Sequence, residues 1–406
     1  MNIKGTKKKN QVKKVNIFEQ QEMIAKTEAL KESLKASTWH ELETQGKFDK
    51  NKKLTFIDDD MLILGCDVGS ETHYLRAIDT RGRELSKSAF SFSNSLEGFQ
   101  SAKDWAVKLA AENDKNQIVL GLEPTGHYWF CLTTWMISNG ISVVQVNPYA
   151  VKQTKELEDN SQLKDDRKDP KLIANLVKDG NFGMPYLPEK LYAELRRLSM
   201  FRDQLNEDRI RFLNRLHREM KIYFPEYKDA FGKFDGAFSL EVLRKAPFPE
   251  DLIELGRDGI KQIWHDAKLR GRGYSKAEGI LKYAGESVGI KDGADVSRMA
   301  VKWFVERIIE LDEQLSDIEK QLNQKCKEIP HAENILEISG IGENILSGIL
   351  AEMGDISRFD DVKEIQKLSG LGLVACSSGK HKGETKISHR GRKRLRYWLF
   401  QGTKSA

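Results

Sequence analysis

The sequence predicts an α/β domain followed by an all-α region, and three patterns predict it. Short apolar runs between residues 60 and 182 alternate with helical stretches. Beyond residue 182 apolar side chains recur at a three-four spacing. The chain has 406 residues, too long for one ordinary domain. The expected organisation is a basic, helical N-terminal extension over 1–59, an α/β domain over 60–182, a helical region with an insertion over 183–328, and a small helical unit over 329–406.

The extension is rich in Lys, Glu and Gln, with a helical pattern near 17–35. MLILGCD is then an apolar strand ending in Asp67, THYLRAID alternates like a half-buried strand, Arg81-Gly82 makes a turn, and ELSKSAFSF returns as a third strand. A helix over 95–112, the strand QIVLGLE ending in Glu123, a helix over HYWFCLTTWMISNG and the strand ISVVQVNP complete a sheet with antiparallel and parallel parts. Leu191, Leu195, Leu198, Leu205, Phe212 and Leu216 mark one long helix. Val301, Phe304, Ile308, Leu311, Leu315, Ile318 and Leu322 keep a/d spacing on a second, so the two are expected to form an antiparallel coiled coil, within the chain or between subunits. Arg202 and Arg209 either face nucleic acid or pair with acids of the second helix. Between these helices, 225–296 reads as an irregular helical insertion because of Pro225, Pro247, Pro249 and several glycines.

No run approaches about 18 apolar residues and the N-terminus has lysines where a signal peptide has an apolar core, which argues against a membrane span or secretion. The cytoplasm is the expected compartment. Four cysteines without paired spacing argue against a disulfide framework and a zinc site. The net charge of +5 is uneven: residues 1–14 carry +6 and 380–404 carry +8, leaving −9 for the rest. Two basic arms suit a polyanion such as nucleic acid, although a lysine run at an N-terminus is as often a solvated tail. In HRGRKRLRYWLF the cations Arg390, Arg392, Lys393, Arg394 and Arg396 interleave with Leu395, Tyr397, Trp398 and Leu399, the pattern of a helix with one basic face.

Asp67 and Glu123 sit at strand ends, where α/β proteins keep their chemistry. Asp165, Asp166 and Asp169 lie in KDDRKDP, with Pro170 suited to a first helical position and Asp169 to a helix cap. Any one acid alone reads as structural. Carboxylates converging within about 4 Å would repel by roughly 4 kcal/mol per pair at an effective dielectric near 20, so such a cluster needs cations. Oxygen donors without histidine favour Mg²⁺ or Mn²⁺, and a pair of such ions stabilises both oxygens of a phosphodiester exchange.

GCDVGSETHYLRAIDTRG, GLEPTGHYWF with ISVVQVNP, and KDDRKDPKLIANLV resemble the D, E, D and D segments of the DEDD transposases of the 110-type insertion-sequence family, over about residues 61–400. The resemblance implies an RNase H/RuvC-like N-terminal domain in which Asp67, Glu123, Asp166 and Asp169 are catalytic and hold Mg²⁺ or Mn²⁺. Asp165 falls where the family has a small residue, which favours Asp166, and Pro170 replaces an Ala.

ILEISGIGENILSGILAEMG places Gly340 and Gly342 in a turn resembling a helix-hairpin-helix, whose N–H groups can hold a phosphate; a plain helix hairpin fits equally. In KLSGLGLVACSSGKHKGETKISHRGRKRLRYWLF the SSG triplet taken alone is a turn. The segment resembles the family's C-terminal transposase domain, which implies that Ser378 is the nucleophile, with Ser377 as the fallback. Gly379 would let backbone approach a phosphate, and Lys380, Lys382, Arg390 and Arg392 would offset its charge.

The implied function is an insertion-sequence transposase or recombinase that cuts and rejoins donor and target DNA through a phosphoserine link. The family further implies a non-coding bridge RNA as guide, a dimer or tetramer with composite sites, and a place at the bacterial nucleoid. The main rival is a RuvC-like nuclease or junction resolvase using metal-activated water. An ATP-binding fold of the actin and sugar-kinase type, suggested by DVGSE, lacks a second phosphate segment. A non-catalytic scaffold would have no use for the acids and Ser378.

Overall fold

The computed structural model describes residues 17–35, 48–158, 169–269, 273–359, 361–378 and 381–405. The chain divides into two compact units, 1–187 with 357–367, and 188–356 with 368–406.

The first unit is built on a mixed six-stranded sheet. Its elements run α1 (Ile17–Lys35), α2 (Phe48–Phe56), β1 (Met61–Asp67), β2 (Thr72–Ile78), β3 (Phe90–Ser93), α3 (Leu96–Glu112), β4 (Gln117–Leu122), α4 (Trp129–Ser138), β5 (Ser142–Val146), α5 (Pro148–Glu158), α6 (Asp169–Lys178) and β6 (Phe182–Gly183). The order across the sheet is β3-β2-β1-β4-β5-β6, with β1, β4 and β5 mutually parallel and the other pairings antiparallel. The expected third strand is shorter than ELSKSAFSF: Glu84 makes a single bridge to Ile78, and pairing resumes only at Phe90.

Alternation along the strands loads both faces. Leu62, Leu64, Cys66, Leu120, Leu122 and Val143 pack under α3 and α4, where Ala102, Ala106 and Ala110 at every fourth position let α3 lie close. Ser95 opens that helix by accepting the Gly98 N–H at 3.1 Å, the usual N-cap contact. Met61, Ile63, Val119, Val144 and Val146 pack on the other face under α6 and α1. The helix near 17–35 is therefore part of this core and not an appendage: Met23 and Leu30 are buried in it, and Thr27 Oγ1 lies 2.6 Å from Ser142 Oγ of β5.

The second unit is helical apart from one hairpin. It contains α7 (Lys190–Tyr223), α8 (Tyr227–Phe231), α9 (Ala237–Lys245), α10 (Pro249–Asp266), α11 (Tyr274–Gly285), α12 (Ala294–Lys327), α13 (Ala332–Leu336) and α14 (Glu343–Met353). After α15 (Val362–Ser369), which straddles the two units, it closes with β7 (Leu373–Ser378), β8 (His381–Ile387) and α16 (Lys393–Ser405). The 34-residue helices α7 and α12 run antiparallel, since Glu194 pairs with Lys325 and Arg209 with Asp312. Val301, Ile308, Leu311, Leu315, Ile318 and Leu322 are buried on α12, while Val305 takes the buried place expected of Phe304.

The helical insertion expected over 225–296 shows, among the described residues, four helices, with α10 kinked at Gly256, φ +68°. Phe231, Phe234, Leu243, Leu252, Ile260, Trp264 and Ile280 share one core with Leu216 and Met220 of α7 and Val301, Val305 and Ile308 of α12. Pro249 starts α10, where its missing N–H costs nothing, and so does not break it. No helix among the described residues is long and apolar enough to cross a membrane.

Candidate active site

Two glycines decide where the acids stand. Met61, Ile63, Gly65 and Asp67 share one face of β1, and Val119, Gly121 and Glu123 share the same face along β4 and the residue beyond it. A Cβ on Gly65 would stand 1.8 Å from the Pro170 carbonyl oxygen and 2.6 Å from the Ala174 nitrogen. One on Gly121 would meet Val177 Cγ2 at 2.3 Å. Without those atoms α6 lies directly on the backbone of the two central strands, so its first residue, Asp169, arrives at their C-terminal edge. Parallel pairing of Cys66 with Leu122 puts Asp67 and Glu123 side by side at the same edge.

The electrostatics agree with this placement. Burial first, and then the negative charges of Asp67 and Asp169, push the Glu123 carboxyl above its ordinary value, while Lys155 pulls it back. Burial, reinforced by Asp67, also pushes the Cys66 thiol well up, so it stays protonated and inert. Lys155 of α5 donates to both carboxylate oxygens of Asp169, at 2.6 and 2.9 Å. Lys171, in the first turn of α6, pairs with Glu84 at 2.6 Å.

The structure thus gathers Asp67, Glu123 and Asp169. Asp165 and Asp166 lie outside the described residues, and among those described no three Asp, Glu, His or Cys side chains stand close enough together to hold a metal ion. The donors still fit a hard divalent cation. All three are carboxylates, their mutual repulsion is felt at Glu123, and a cation, the Lys155 ammonium, already sits on Asp169. Sequence reasoning missed Lys155, since nothing distinguishes it among 66 Lys and Arg residues.

The other sequence-selected residues belong to the second unit. Ser377 and Ser378 end strand β7 instead of lying in the expected turn, opposite Lys382 and His381 in register, with a bulge between Ala375 and Ser377. Gly379 and Lys380 lie outside the described residues. Gly340 takes a left-handed turn conformation at φ +85° and Gly342 precedes the first residue of α14.

The C-terminal cations divide into two groups. Arg392 donates to the Glu352 carbonyl, Arg396 to the Ser369 carbonyl at 2.7 Å, and Arg394 pairs with Asp203 at 3.1 Å. Lys393 and Arg390 are exposed. Arg202, only 2% exposed, stacks its guanidinium 4.4 Å from the centre of the Trp398 ring, while Arg209 pairs with Asp312 and Asp235. Arg202 and Arg209 therefore serve the protein's own packing.

Residues 64–225 match the profile of a family described as Transposase, and residues 332–406 that of the Transposase IS116/IS110/IS902 family. The 44.8 kDa protein of insertion element IS116 from Streptomyces clavuligerus is 24% identical over 84% of this chain and 83% of its own length. A mini-circle protein of Streptomyces coelicolor, ascribed to IS117 as its transposase, is 22% identical over 78% of this chain and 77% of its own. The 42 kDa protein of insertion element IS900 from Mycobacterium paratuberculosis is 24% identical over 57% and 58%.

Proposed function

Because the chain belongs to the IS116/IS110/IS902 family of transposases, enzymes that act on DNA, we propose that it excises and joins insertion-element DNA by metal-dependent transesterification through Ser378. The observation that carries this reading is the convergence of Asp67, Glu123 and Asp169 at one sheet edge, inside the segment that matches the transposase profile. The mixed sheet is consistent with a RuvC-like fold, and we read 60–182 as the catalytic domain and 329–406 as the serine domain. On this reading α7 and α12 are a coiled-coil arm and the turn at Gly340 and Gly342 a phosphate-holding hairpin.

Asp67, Glu123 and Asp169, joined by Asp166, would hold Mg²⁺ or Mn²⁺. Such a cation supplies Lewis-acid stabilisation of phosphodiester oxygens as charge builds on them. The residues do the rest. Ser378 loses its hydroxyl proton as Oγ bonds to phosphorus, the bond from phosphorus to the neighbouring sugar oxygen breaks, and that oxygen takes up a proton. The phosphoserine ester conserves the bond, so a second strand's hydroxyl can reverse the step and rejoin DNA without ATP. On this reading Lys382, Arg390 and Lys393 would offset phosphate charge, while Arg392, Arg394 and Arg396 hold the C-terminal helix in place.

Sequence choice would be delegated to a non-coding bridge RNA, and the catalytic assembly would be a dimer or tetramer at the nucleoid. Mixing purified protein with donor DNA and Mg²⁺ tests the chemistry: a protein–DNA adduct resistant to denaturant and lost in Ser378→Ala supports the serine. Cleavage that persists in Ser378→Ala makes the enzyme a water-using nuclease instead.

A further inference from the structure

A lysine inside an acid cluster that awaits a metal is itself a cation, bound where positive charge is wanted. Lys155 reaches both oxygens of Asp169 from the last turn of α5, and α5 begins at Pro148, just past β5, on the same sheet edge as Asp67 and Glu123. Asp169 has only about a fifth of its side chain exposed and Lys155 about a third, so the pair is partly shielded from solvent. The Lys155 ammonium also pulls the raised Glu123 carboxyl back down, so its charge acts beyond Asp169. No three donors stand close enough to hold a metal ion while this pair is made, among the described residues.

We propose that Lys155 is a positioning residue, a tethered counter-ion that holds Asp169 in the metal-free enzyme and must be displaced from it before a divalent cation is bound. The proposal rests on the reading of Asp67, Glu123 and Asp169 as metal ligands. Its chemistry is competition: ammonium and divalent cation share the Asp169 carboxylate, so each weakens the other's hold by the same factor. A bridge that merely tied α5 to α6 would act in the opposite sense. Removing it would loosen Asp169 and leave cation affinity unchanged or lower.

The sign of that change is the test. Free Mn²⁺ is titrated by electron paramagnetic resonance against the full chain, comparing wild type, Lys155→Met, Lys155→Gln, Lys155→Arg and Asp67→Asn. Lys155→Met and Lys155→Gln should each bind Mn²⁺ roughly tenfold more tightly than wild type, an ordinary coupling between two competing ligands. Lys155→Arg keeps the charge and should stay near wild type, and Asp67→Asn should bind poorly. The heat-induced unfolding midpoint without metal should fall in Lys155→Met and be restored by Mn²⁺, a response that also certifies its fold.

If wild type binds, Asp67→Asn does not, and both neutral variants bind equally or more weakly than wild type, the counter-ion is overturned while the acid site stands. If Asp67→Asn binds as wild type does, or no variant binds, the acid site itself falls and the counter-ion with it.

Discussion

Lys155 and Asp169 are fourteen residues apart, and their doubly hydrogen-bonded ion pair, at 2.6 and 2.9 Å, pins together the two ends of the segment that carries Asp165 and Asp166. The acid that opens α6 is thereby fixed from two directions, by the lysine of α5 and by the close seat of α6 on β1. The second of these is open to a small mutation.

Gly65→Ala puts a methyl group where the Pro170 carbonyl and the Ala174 nitrogen already stand. Both contacts are backbone, so no rotamer change relieves them and α6 must move. Denaturant unfolding should show a loss of about 3 kcal/mol, the upper range for overpacking, and DNA cleavage should fall by at least about a hundredfold as Asp169 leaves its position. A Gly65→Ala enzyme with wild-type stability would mean that α6 does not lie on the strand as described.

His73 gives the first unit a pH-dependent weakness. It is wholly buried between Phe92, at 5.0 Å, and Phe99, at 6.1 Å. Burial lowers its pKa below the ordinary 6.5, with Asn94 opposing. The native state therefore holds the neutral ring, and the unfolded chain binds the proton more readily. Stability from this residue is fully present above about pH 6.5 and is lost as pH falls from there toward the lower folded value. His217 in the second unit is shifted in the same direction, so the comparison must be made against a variant. His73→Phe should reduce the drop in urea midpoint between pH 7.5 and 5.5; an unchanged drop contradicts the assignment.

How far the sequence foretold these arrangements depends on the range of the forces involved. MLILGCD, QIVLGLE and ISVVQVNP are buried strands whose apolar runs are local signals, as are the acids that end the first two. The a/d stripe of α12 is equally local. Gly65 and Gly121, two residues before each acid, gain their meaning only from α6 packed against them. Lys155 carries no local signal, because its meaning depends on α5 and α6 meeting in space. The docking of Met23 and Leu30 depends on a sheet face that α1 shares with α6. The prolines of 225–296 suggested irregularity, yet Pro249 starts a helix and the segment gains its order from a core shared with two distant helices. The basic helix at the C-terminus was visible as a pattern, but which cations face inward is set by Glu352, Ser369 and Asp203, remote in sequence.

That division among cations can be measured. Trp398→Ala removes the ring under the buried Arg202 and should cost about 3 kcal/mol of stability through the lost packing and an unsupported guanidinium. Lys393→Ala should leave unfolding unchanged and reduce the salt dependence of DNA binding by about one unit of slope. If Lys393→Ala lowers stability and spares the salt slope, the exposed face of α16 is not a phosphate contact.

The central claim is that transesterification requires both the acid cluster and Ser378. Donor and target plasmids are recombined in cells that also supply the element's flanking non-coding DNA, comparing wild type, Asp67→Ala and Ser378→Ala. The account predicts that both variants lose recombination by at least about a thousandfold and that a covalent protein–DNA adduct is trapped only when Ser378 is present. Recombination that survives in Ser378→Ala while Asp67→Ala is dead would contradict it.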